Sequence, residues 1–130
     1  MKFNLKMPDK LIPFYKNELD NSASNFQNGQ LQLAWVHLER AHILGQAFPA
    51  PHTAVHWRML KFGWKIKSWN EVVGQLPRLL VGGIKSFVGK IPIGNTGGAN
   101  VPALLPLEIP ADLKEIFSKL KSNENQIEPQ

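Results

Sequence analysis

Four histidines crowd into the twenty-residue segment HLERAHILGQAFPAPHTAVH, and the chain has no others. They are His37, His42, His52 and His56, with Glu39 among them. Imidazole is a base, a proton carrier near neutral pH and a common metal ligand, so the chemistry depends on which rings converge. Glu39 and His42 are three apart, and His52 and His56 are four apart, so on helices each pair shares a face. A short Gly/Pro-bearing link separates the pairs, as in a helical hairpin. In such a hairpin, residues equidistant from the link meet. That sets His42 level with the His52–His56 turn and Glu39 one turn deeper. His37 precedes His42 by five residues, about 140° around a helix, and faces elsewhere. The expected cluster is therefore Glu39, His42, His52 and His56.

Three neutral imidazoles and one carboxylate suit Zn, Fe, Mn, Ni or Cu, and do not suit Ca or Mg. Glu-x-x-His also occurs in di-iron bundles, but there it appears twice, and here once. Glu18 and Glu71 are the acids on neighbouring helices that could enlarge the site. The competing reading is a buried polar network in which His and Glu hydrogen-bond across helices. Two other constellations are weaker. Gly94, Asn95, Thr96, Gly97 and Gly98 could form a nest of backbone N–H groups for an anion, but without the G-K-[ST] ending of a phosphate loop. A turn requiring positive φ explains the same residues. Trp57, Trp64 and Trp69 alternate with Arg58, Lys61, Lys65 and Lys67, a pattern that can bind single-stranded nucleic acid weakly. Tryptophans at that spacing more often form the core and rim of a hairpin, so nucleic acid is not the expected partner. No nucleophile motif accompanies the histidines, which weighs against an enzyme.

The elements that must position these residues read as helices. The first is expected from Pro13 toward Phe26, broken at Asn28-Gly29. The second covers Gln30 to Leu44 with Gly45 as its stop. Along it Ala34, Leu38, Ala41 and Gly45 make a small-residue stripe suited to close packing. Pro51 opens a third, His52 to Phe62, ended by Gly63. Ser68-Trp69-Asn70-Glu71 matches a capping box and starts a fourth, which Pro77 should kink or interrupt. Residues 89–110 hold four prolines and no helical period, and read as an extended Pro/Gly-rich C-terminal strap over the helical core of 13–88. A short helix follows at 111–121. Residues 1–12 read as a loose arm and 122–130 as a flexible tail. The segment SASNFQNGQLQLAWVHLERAHIL is similar to one tetratricopeptide-type repeat. The expected fold is all-α: antiparallel helical hairpins, tetratricopeptide-like, with four to five helices in a single domain.

Composition bounds the rest. At 130 residues, 43% hydrophobic and 19% charged, the chain can bury a core. It has no cysteine, which excludes thiolate metal sites, disulfides and cysteine nucleophiles. The N-terminus lacks the apolar region of a signal peptide, and no apolar run is long enough to span a bilayer, so a cytoplasmic location is expected. Net charge is +5, concentrated in residues 58–90, where seven cations face only Glu71. Such a segment could meet nucleic acid, an anionic membrane or an acidic partner.

Four motifs carry a family likeness: W-x-HLERAHILGQ from Trp35 to Gln46, H-x3-H followed by Met59-Leu60, E-x2-GQ at Glu71, Gly74 and Gln75, and P-x-GNTGGANV from Pro92 to Val101. Through them residues 14–118 resemble a bacterial family known as domain of unknown function 3703. Pro77 departs from its pattern. The resemblance implies a small cytoplasmic bacterial protein and no particular activity. Two functions are carried forward: a small helical interaction or scaffold protein with a protein partner or a second copy, and a transition-metal-binding protein using the His/Glu cluster.

Overall fold

The computed structural model describes residues 6–77, 97–99 and 107–127. Every regular element among them is helical. Helix α1 spans Ile12–Gln27, α2 Leu31–Gly45 and α3 Pro49–Lys65. A fourth run, α4, occupies 69–77, and α5 spans Ala111–Ile127. The all-α expectation holds. Most of the expected strap, the stretch after Pro77 and residues 94–96 lie outside the described residues.

Helices α1, α2 and α3 pack in sequence. Their contacts show that neighbours run antiparallel. Trp35 near the start of α2 meets Phe62 near the end of α3, while His42 near the end of α2 meets His52 near the start of α3. Likewise Ser22 Oγ donates to the Ala34 carbonyl, while Tyr15 lies against Gly45. The stripe Ala34, Leu38, Ala41 and Gly45 is buried throughout. Its small side chains let α1 and α3 approach closely. A Cβ on Gly45 would come within 3.0 Å of the Tyr15 ring and 3.2 Å of Pro51. Burial there pushes the Tyr15 hydroxyl up to about 12, against a smaller lowering by Arg58, and that hydroxyl donates to the Pro51 carbonyl.

Four boundaries differ from expectation, the two ends of α3 for local reasons. Helix α3 starts at Pro49, because both Pro49 and Pro51 fit a first turn whose N–H groups have no helical acceptor. The link after α2 shrinks to 46–48. Gly63 does not end α3. It lies inside the helix, where its missing Cβ lets Glu71 approach; an added Cβ would be 3.1 Å from the Glu71 Cβ. The chain turns instead through Lys67, at φ 60°, and the Ser68 N–H donates to the Gly63 carbonyl. With that N–H already bonded, the reciprocal half of the expected capping box does not form. The expected loose arm contributes Met7 and Leu11 to the core, and α5 runs six residues beyond its expected end.

Candidate metal centre

The end of the α2–α3 hairpin nearest the link gathers three imidazoles. His42 lies in the buried last turn of α2, and His52 and His56 occupy successive turns of α3. All three rings are buried. Their Nε2 atoms form a nearly equilateral triangle: 3.0 Å between His42 and His52, 3.1 Å between His42 and His56, and 3.0 Å between His52 and His56. The ring planes cross at 61–73°, like the blades of a propeller. Among the described residues this is the one group of ligand-type side chains close enough to share an ion.

The tautomer of one ring is fixed by its surroundings. The Gln75 amide nitrogen donates to the Gly97 carbonyl at 2.8 Å and to Glu71 Oε1 at 2.6 Å. Both of those partners are acceptors, so the amide can point only one way. Its oxygen must then accept from His56 Nδ1–H, at 2.6 Å. A neutral imidazole carries one N–H, so His56 Nε2 presents a lone pair to the triangle. Gln75 is wholly buried and also touches the Met59 sulfur. Glu71 Oε1 additionally accepts from the Ala99 N–H at 2.9 Å. A chain of bonds thus runs from His56 through Gln75 and Glu71 to residues 97–99.

Gly97 closes one side. Its φ of +82° favours glycine, and an added Cβ would lie 2.5 Å from His42 Cδ2 and 2.8 Å from His42 Nε2. No side chain fits there without displacing the ring. This part of the Gly94–Gly98 motif serves the histidine cluster and supplies a carbonyl to Gln75.

The expected fourth member is not in the group. Glu39 is half-buried, hydrogen-bonded to the Trp35 side chain one turn earlier in α2. Burial raises its pKa, the Trp35 bond lowers it, and the Glu71 carboxylate raises it further. Sharing a helix face at three-residue spacing is not enough to bring its carboxylate to the triangle. His37, expected outside, is outside: its Nδ1 pairs with Glu18 Oε2 at 2.6 Å. Glu18 also accepts from Arg40 Nε at 2.9 Å, and Arg40 holds Asp112 of α5 with both terminal nitrogens. Glu18 therefore belongs to a separate network. Sequence motifs mark Gln75 and Gly97 without giving them a part in the cluster. No local spacing reveals their role, because they reach the histidines across 19 or more residues of chain.

The family model described as a protein of unknown function (DUF3703) matches residues 9–117. The chain belongs to the DUF3703 family. Comparison with curated proteins and with solved structures returns no match. The motifs W-x-HLERAHILGQ, H-x3-H, E-x2-GQ and P-x-GNTGGANV supply His42, then His52 and His56, then Glu71 and Gln75, then Gly97. One cluster therefore draws on all four.

Proposed function

We propose that this DUF3703 protein binds one divalent transition-metal ion through the Nε2 atoms of His42, His52 and His56. The observation that carries the reading is the triangle of Nε2 atoms at 3.0–3.1 Å. A ring nitrogen either carries a proton and donates or presents a lone pair and accepts, so three mutual contacts cannot all be hydrogen bonds. His56 offers no N–H at Nε2, because its proton is on Nδ1. The other two neutral rings can offer at most one each. At least one contact therefore sets like against like, donor on donor or acceptor on acceptor, in a buried site, a cost that is removed when all three nitrogens present lone pairs to one cation. An ion about 2.1 Å from each nitrogen would see them at mutual angles near 95°, within reach of tetrahedral or octahedral coordination.

The outer contacts support the same reading. Metal-bound histidines usually donate their second N–H to an oxygen that fixes ring and tautomer. Gln75 Oε1 does this for His56. Glu71, one amide further out, supplies negative charge toward a buried dication, as such sites require. With three nitrogen ligands and no thiolate, the donors suit Zn, Ni, Cu, Fe or Mn. Glu39 is assigned no direct bond. Equilibrium dialysis of the full chain against zinc should give saturable binding at about one ion per chain, lost in His56→Leu. Equal uptake by wild type and variant would reject the site.

A further inference from the structure

The outer side of α3 and α4 carries a second feature that the histidine cluster does not use. We propose that this face binds the surface of an anionic phospholipid membrane. Trp57 and Trp64 lie seven residues apart on α3, and Trp69, Val73 and Leu76 follow at four and three on α4. Each set makes one stripe of its helix. The five side chains are between 49% and 65% exposed. Trp64 and Trp69 meet edge to face, with ring centroids 5.4 Å apart, which joins the two stripes. The expectation that these tryptophans are core and rim therefore fails. Only Trp35, on α2, packs against the core.

Cations border one side of this apolar surface: Arg58, Lys61 and Lys65 toward the groove with α1, where Lys65 Nζ lies 5.2 Å from the Phe26 ring centroid, and Lys67 at the turn. Arg58, Lys61, Lys65 and Lys67 are all exposed, and none forms an ion pair with another described residue. Residues 57–70 contain no acid. Tryptophan with lysine is the combination that settles at a bilayer surface: the indole at headgroup depth, aliphatic side chains just below, cations on the anionic headgroups. Two other occupants fit less well. A two-fold contact with a second copy would set two cationic patches in one interface with no acid in residues 57–70 to offset them. Nucleic-acid bases stack on open ring faces, whereas Trp64 and Trp69 cover one another edge to face, and Val73 and Leu76 offer bases nothing. No described helix is long and apolar enough to cross a membrane, so attachment would be to its surface.

The test is vesicle flotation with the full chain. One set of vesicles is phosphatidylcholine alone, and a second contains about 30% phosphatidylglycerol. The chain should float with the anionic vesicles only, and less so as salt is raised. Trp64→Ser with Trp69→Ser, and separately Lys61→Glu with Lys67→Glu, should each lower the partition coefficient roughly tenfold or more. Both pairs are exposed, so helical circular dichroism should be unchanged. The salt dependence of wild-type flotation keeps the test decisive even if one variant misfolds. Failure to float, or equal flotation by both folded variants, overturns the proposal. A concentration-dependent dimer abolished by the tryptophan variant would overturn it in favour of a second copy. Single-stranded oligonucleotide retention abolished by either variant, without flotation, would overturn it in favour of nucleic acid.

Discussion

Helix α2 contributes to two clusters of polar side chains, and they differ in one respect that decides their roles. Toward its middle, His37 and Arg40 meet Glu18 of α1 and Asp112 of α5. Two carboxylates there accept from a guanidinium and an imidazole, so every partner has its opposite. Asp112 is held well below the usual carboxylate range, first by its hydrogen bond to Arg40, and Arg40 is raised in turn. At the end of the same helix, His42, His52 and His56 face one another, and among the described residues no carboxylate joins their triangle. The first cluster gives each carboxylate a donor and ties α5 to the hairpin. The second brings three imidazoles together, one of them presenting a lone pair, and on our proposal takes a cation. Histidine content does not distinguish a structural network from a metal site. The distinction lies in whether the partners present already account for the protons.

The comparison can be broken most severely at the triangle. His56→Leu removes one of three ligands and should reduce metal content from about one equivalent to a tenth or less, leaving the Glu18–Arg40–Asp112 network intact. Gly97→Ala should act nearly as strongly without touching a ligand, because its Cβ would lie within 2.8 Å of His42 Nε2. Isothermal titration with zinc, alongside circular dichroism, would separate lost binding from lost fold. Retained affinity in Gly97→Ala would show that residue 97 does not border the site.

Arg40→Ala tests the other side. It leaves Glu18 buried with only His37, and should lower stability by about 2 kcal/mol in urea unfolding while metal content is unchanged. A loss of metal in this variant would mean that the clusters are coupled. Gln75→Leu is subtler. It removes the acceptor that holds His56 Nδ1–H, so zinc affinity should fall roughly ten- to a hundredfold, about 1.4–2.7 kcal/mol. Nitrogen NMR of His56 would then show a mixture of tautomers in place of one.

The smallest effect is expected at Asp112. A carboxylate lowered in the folded state adds stability above its unfolded pKa, and loses it as pH falls through the folded value. Its side chain is 59% exposed, so solvent screening limits the gain to under about 1 kcal/mol. Asp112→Asn should be slightly less stable than wild type at neutral pH. It should also lose less on acidification below the ordinary carboxylate range. An unchanged acid limb in chemical unfolding would show that Asp112 contributes nothing to the pH dependence.

The hairpin and the three histidines are legible in the sequence because they depend on local periodicity. Four-residue spacing on α3 and proximity to a short link on α2 leave few other arrangements. Glu39 illustrates the limit of such reasoning. Spacing assigns it to a face, but only side-chain reach and its Trp35 partner decide where the carboxylate goes. Gly63 reads as a helix stop because the signal for a terminus and the signal for close helix contact are the same residue. Lys67, at φ 60°, ends the helix with no sequence mark at all. Gln75, Glu71 and Gly97 reach the cluster through long-range contacts, and no local pattern encodes those. Their motifs flag Gln75 and Gly97 without a part in the cluster, and mark Glu71 only as an acid that could enlarge it.

The claim most exposed to measurement is that the three imidazole nitrogens enclose a metal. Untagged wild-type chain and His52→Ala should be purified without chelator, loaded by dialysis against a mixture of first-row divalent ions, and analysed for elemental content. The expected result is about one equivalent of transition metal per wild-type chain and under a tenth in the variant. Less than a tenth of an equivalent in the wild type, with the fold intact, would contradict the claim. The histidines would then form a buried polar network in which His56 Nε2 accepts from its neighbours.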